Sequence, residues 1–72
     1  MEVRLFATLR EGRGKVLNQP HNPGMTGGKL LESLGIKADD VSIFLINGLS
    51  SSLDAVLREE DVIALFPPVG GG

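Results

Sequence analysis

Val62-Ile63-Ala64-Leu65-Phe66 runs directly into Pro67-Pro68, and Val69-Gly70-Gly71-Gly72 closes the sequence. An apolar run bounded by an acidic cluster and a proline pair reads as a strand. Proline has no N–H for a sheet ladder, so the strand is expected to stop at Phe66. The glycines that follow have no side chain to pack and carry the highest ordering entropy of any residue type. Such a segment adds nothing to a core. Its expected use is as a bare flexible arm over residues 70–72, ending in a carboxylate that another protein can act on through a slit too narrow for a Cβ. Residues 1–69 would then form the folded body. The bland alternative is a frayed or artificial end.

Working back from this strand, Glu59-Glu60-Asp61 reads as a solvated turn, with a docking patch for a basic partner as its functional alternative. Val41 to Ile46 is strongly apolar and predicts a strand buried on both faces or nearly so. Asn47-Gly48 predicts a tight turn with positive φ at both residues. Leu49 to Leu53 reads as a short edge segment, and Asp54-Ala55-Val56-Leu57 as a brief helical turn. Thr26 is a candidate helix cap through its hydroxyl. The helix body is expected over Lys29 to Leu34, with Leu30, Leu31 and Leu34 along one edge and Gly35 as its stop. Gly27 and Gly28 weaken its first turn.

At the other end, Val3, Leu5, Ala7 and Leu9 alternate with Arg4, Phe6 and Thr8, the period of a half-buried strand over Glu2 to Leu9. A turn at Glu11-Gly12-Arg13-Gly14 returns Lys15 to Gln19 as the second strand of a hairpin, and a loop from Pro20 to Gly24 follows. The element order is ββαββ with a short extra strand, an α+β fold: one mixed sheet of four or five strands covered on one face by one main helix. Both the first and last strands are apolar, so they are expected side by side in its middle. Ile63 and Leu65 then face the helix with Val3, Leu5 and Ala7. Phe6 and Phe66 emerge together on the uncovered face, at the root of the tail, where an exposed aromatic pair marks an interaction surface; the alternative tucks them under the loop from Pro20 to Met25.

Composition narrows the function. Seventy-two residues leave room for one modest core and no deep cleft, which makes a self-sufficient enzyme a poor first choice. The seven Lys and Arg residues are scattered, so no nucleic-acid footprint is present. There is no cysteine, which removes disulfides, thiolate metal sites and a persulfide carried on this chain. No metal site is expected. The N-terminus has no basic flank before an apolar run, and Ile43 to Ile46 is too short to span a bilayer. No membrane association is expected, and the cytoplasm is the default location.

Other candidate chemistry is weak. Gly24-Met25-Thr26-Gly27-Gly28-Lys29-Leu30 has Pro23 and Leu30 where a phosphate loop needs a glycine and a hydroxyl. His21 has no companion ligand and reads as a solvated loop residue. Ser50-Ser51-Ser52 has no plausible general base. Lys15, Lys29 and Lys37 read as surface charges, any one of which has the alternative of assisting at a partner's active site.

Val3-Arg4-Leu5-Phe6-Ala7-Thr8-Leu9-Arg10-Glu11, then Asn47-Gly48, then Asp61 to Val69 with a terminal Gly71-Gly72, resembles the small subunit of molybdopterin synthase, in the MoaD branch of the MoaD/ThiS sulfur carriers. The most specific piece is Phe66-Pro67-Pro68-Val69 followed by the glycines; carriers of the thiazole (thiamine) pathway resemble it less there. Gly24-Met25-Thr26 followed by Leu30-Leu31 and Leu34-Gly35-Ile36 also resembles the family's helix entry. Gly27-Gly28 and the Gln19 to Pro23 loop depart from the pattern. The resemblance implies a ubiquitin-like β-grasp fold. It also implies that an E1-like adenylating enzyme, using ATP, activates the Gly72 carboxylate, and that sulfide equivalents then form a thiocarboxylate. The receiving partner would be the synthase large subunit, with Phe6, Phe66, Pro67, Pro68, Val69, Gly70 and Gly71 as partner-contacting positions. This chain would bind no cofactor itself. Three other readings stay open: a protein modifier joined through Gly72 to lysines, a sulfur carrier of the thiazole (thiamine) pathway, and a binding module with an inert tail.

Overall fold

The computed structural model describes residues 1–68. Its middle strand is β5 (Val62–Phe66), which pairs in parallel with β1 (Glu2–Leu5) on one side and antiparallel with β3 (Ile43–Ile46) on the other. β2 (Val16–Asn18) and β4 (Leu49–Ser50) complete a five-stranded sheet in the order β2-β1-β5-β3-β4. One helix, α1 (Gly27–Leu34), covers a single face. This is the mixed α+β sheet expected, with the first and last strands adjacent at its centre.

Alternation along β5 sets the layers. Ile63 and Leu65 are fully buried with Val3 and Leu5 of β1 and Leu30 and Leu31 of α1. Val62, Ala64 and Phe66 therefore turn to the uncovered face. In register, Phe44 sits opposite Leu65 and joins the core, whereas Ile43 sits opposite Phe66 and stays exposed. β3 is thus buried on one face only, contrary to its reading as a strand covered on both. Its apolar outer residues belong to an uncovered surface.

The helix begins two residues earlier than expected. Thr26 caps it, its Oγ1 accepting from the Lys29 N–H at 3.3 Å. The Gly27 and Gly28 N–H groups, which have no partner inside a helix's first turn, donate to the carbonyls of Ala55 and Leu53. The segment 53–56 is therefore a loop that docks on the helix start, with a bridge from Thr26 to Val56, and not the helical turn expected there. Gly27 lets that loop and Phe44 close in: a Cβ on it would lie 2.7 Å from Phe44 Cζ and 3.1 Å from Leu53 Cα. Gly35 ends the helix with φ at 70°.

Three further expectations change. β1 stops at Leu5, because Ala7 takes a φ of 52° and starts a 3-10 turn over Ala7–Arg10. Ala7 is consequently exposed, while the turn swings Leu9 back into the core. Asp61 is buried instead of solvated, its carboxylate accepting from Asn47 Nδ2 at 2.9 Å and from the Arg58 N–H at 2.8 Å. His21 is half-buried and bonded through Nε2 to the Leu57 carbonyl at 2.7 Å, which ties the Pro20–Gly24 loop to the segment before β5. Lys15, Lys29 and Lys37 are exposed, as expected.

Candidate functional site at the root of the C-terminal segment

β5 ends on the uncovered face of the sheet. Phe66 lies there with its ring stacked on Phe6, centroids 4.2 Å apart and planes 10° from parallel. The parallel pairing of β1 and β5 produces this contact: Leu5 is opposite Leu65, and the Phe6 N–H still donates to the Leu65 carbonyl at 3.2 Å, so the next pair of side chains meets. Both rings are half-buried. They lie on the open face, not under the Pro20–Met25 loop.

Arg10 extends the stack. Its guanidinium carbon lies 5.3 Å from the Phe6 centroid, within cation–π range. Its Nε donates to the Leu5 carbonyl at 2.8 Å, a group released where β1 gives way to the 3-10 turn. Sequence periodicity missed Arg10, because it read residues 6–9 as strand; only a turn beginning at Ala7 brings Arg10 back over Phe6. Ile43, opposite Phe66, extends the apolar surface on one side; on the other, Arg4 separates exposed Val16 from β5. The surface carries Arg10 over an aromatic pair, with aliphatic side chains beside it and the exposed Arg4–Glu2 ion pair between Ala64 and Val16. That combination suits a docking surface for another macromolecule.

Beyond Phe66, Pro67 and Pro68 continue the chain out of the sheet. They line an open hollow of about 330 Å³ with Thr8, Arg13, Ile36 and Asp40. Arg13 is held in its wall by donating to the Leu34 and Gly35 carbonyls at 3.2 and 3.3 Å. A cation at the C-terminus of α1 also complements the helix dipole. Pro67 and Pro68 thus lead from the aromatic stack into the wall of the hollow. Of the predicted site residues, Phe6, Phe66, Pro67 and Pro68 converge here; Val69, Gly70, Gly71 and Gly72 lie outside the described residues. Among the described residues no group of His, Asp and Glu could hold a metal ion, and no helix is long and apolar enough to cross a membrane.

Solved structures share this architecture. Small archaeal modifier protein 1 of Haloferax volcanii matches with a TM-score of 0.78 and 27% identity, over 94% of this chain and 95% of that one. A second structure, of SAMP1 from the same organism, gives 0.78 and 28% identity over 99% and 97%. A further Haloferax volcanii protein, determined in solution, gives 0.79 and 28% over 99% of this chain and 84% of that one. The fold is the ubiquitin-like β-grasp. No curated protein sequence matches the chain. The ThiS family model matches residues 3–72, from inside β1 through the final glycine, and the chain belongs to the ThiS family.

Proposed function

We propose that this chain is a sulfur carrier acting through the Gly72 carboxylate in the synthesis of molybdenum or tungsten cofactor. An E1-like enzyme adenylates that carboxylate with ATP, releasing pyrophosphate. A sulfide equivalent then attacks the acyl carbon; the C–S bond forms as the C–O bond to AMP breaks. The thiocarboxylate delivers its sulfur to the molybdopterin precursor inside a larger synthase subunit, where positioning supplies most of the rate gain. Catalytic groups come from the partners, and this chain is their co-substrate.

The observation that supports this reading best is the hand-over from β5 to Pro67 beside the Phe6–Phe66 stack. A central strand, fixed on both sides, leads directly from a sticky surface to the segment that ends in glycines. A partner gripping the rings would hold the arm in a set direction. Membership of the ThiS family supports a partner of the E1 type. The molybdopterin pathway rests on the Phe66-Pro67-Pro68-Val69 sequence.

A second reading, favoured by the likeness to small archaeal modifier protein 1, has Gly72 joined to lysines of other proteins. Both begin with the same adenylate, and a role in the thiazole pathway would do so too. ATP-dependent pyrophosphate release on incubation with the adenylating enzyme tests the shared step, and its absence would reject all three readings. Intact mass with a sulfur donor added tests the carrier readings: replacement of oxygen by sulfur at the C-terminus is expected, and an unchanged mass would reject them. Deletion of the gene then separates them, since loss of molybdoenzyme activity without loss of high-mass conjugates supports the carrier.

A further inference from the structure

Asn47 and Gly48 make the turn between β3 and β4, with φ of 51° and 83°. An Asn-Gly pair carries its own latent reaction. The backbone nitrogen of glycine, unhindered by a Cβ on its own residue, can attack the asparagine Cγ. The new C–N bond forms as the side-chain amide leaves with the proton as ammonia. Water then opens the cyclic imide to aspartate or isoaspartate, so water is the only co-reactant.

The fold opposes this reaction. Both atoms of the Asn47 amide are tethered: Nδ2 donates to Asp61 Oδ1 at 2.9 Å, and Oδ1 accepts from the Val62 N–H at 2.9 Å. The Asn47 N–H adds a bond to the Val62 carbonyl at 2.8 Å. Asp61 is itself held, being only 6% exposed and accepting from the Arg58 N–H through its other oxygen. Swinging Cγ onto the Gly48 nitrogen means breaking both amide tethers. The product also could not restore them. A carboxylate at position 47 has no N–H to give Asp61 and would set a second negative charge against it. An isoaspartate would lengthen the backbone of a turn that holds Leu45 opposite Ser50 and Ile46 opposite Leu49.

We propose that Asn47 is a self-modification site guarded by Asp61, so that opening of the β3–β4 turn is recorded irreversibly as aspartate or isoaspartate at that position. The full chain is incubated in mildly alkaline buffer, folded and in unfolding urea, and followed by intact mass and peptide mapping. The unfolded chain is expected to convert at Asn47, and the folded chain at least roughly tenfold more slowly, because reaction waits on local opening. Asp61→Ala should raise the folded rate roughly tenfold by removing a buried acceptor, and Asn47→Gln should abolish the mass gain. Equal rates folded and unfolded, or conversion at Asn18 instead, would overturn the proposal. Should Asp61→Ala not fold, Asn47→Asp serves in its place: a lowered urea midpoint supports the guard, and an unchanged midpoint refutes it.

Discussion

Phe6 and Phe66 come from opposite ends of the chain, yet their rings stack 4.2 Å apart where β5 gives way to Pro67. Aromatic pairs of this kind contribute about 0.5–1.5 kcal/mol beyond their buried area. Because both rings are half-buried, Phe66→Ala should cost a modest ~1–2 kcal/mol of stability in urea unfolding. Its effect on adenylation should be larger, with kcat/KM for pyrophosphate release by the adenylating enzyme falling roughly tenfold or more. Loss of stability without loss of adenylation would leave the stack a packing contact only.

The two glycines that open α1 should respond to alanine with opposite signs. Gly27→Ala places a methyl 2.7 Å from Phe44 Cζ and against the Leu53 backbone, and should destabilise by about 1–3 kcal/mol despite alanine's better helix propensity. At Gly28 the nearest atom to an added Cβ is 3.8 Å away. Gly28→Ala should therefore stabilise by roughly 0.5–1 kcal/mol. Thermal or urea unfolding of the two variants reads the difference.

Leu65 anchors the centre of the core, with no exposed surface. Leu65→Ala should cost about 2–5 kcal/mol, enough to unfold much of a domain this small near room temperature. The urea midpoint and the loss of folded NMR dispersion check it.

His21→Ala removes the bond from Nε2 to the Leu57 carbonyl, 2.7 Å long and partly buried. The carbonyl can only accept, so Nε2 is the protonated nitrogen. A loss of roughly 1 kcal/mol in urea unfolding is expected. Faster hydrogen exchange should be confined to the Pro20–Gly24 loop and the segment before β5.

The strands, the helix cap and the Asn47-Gly48 turn were legible because each has a local cause: period-two alternation, a hydroxyl before an apolar edge, and a pair suited to positive φ. The Phe6–Phe66 contact was legible for a subtler reason, since alternation along two adjacent strands fixes which side chains share a face. What local pattern could not show was set by distant partners. Ala7 is small and apolar enough to continue a strand; the observed turn instead places Leu9 in the core and Arg10 over Phe6. Asp61 looked like one more charge in an acidic turn until Asn47, from another hairpin, supplied its donor. Gly27 looked like a defect in a helix, because its tight neighbours, Phe44 and Leu53, lie far along the chain.

The central place of β5 also governs how the chain acquires its shape. While residues 1–61 are being made, the β1–β2 hairpin and the β3–β4 hairpin have no strand between them, and α1 has only half a sheet to cover. Pairing of Glu2 with Val62 and Leu5 with Leu65 closes nearly the whole chain into one loop, the kind of non-local contact that slows folding. Cooperative structure therefore waits for β5. The Phe6–Phe66 stack forms in the same event, because one ring stands on β5 and the other directly after β1.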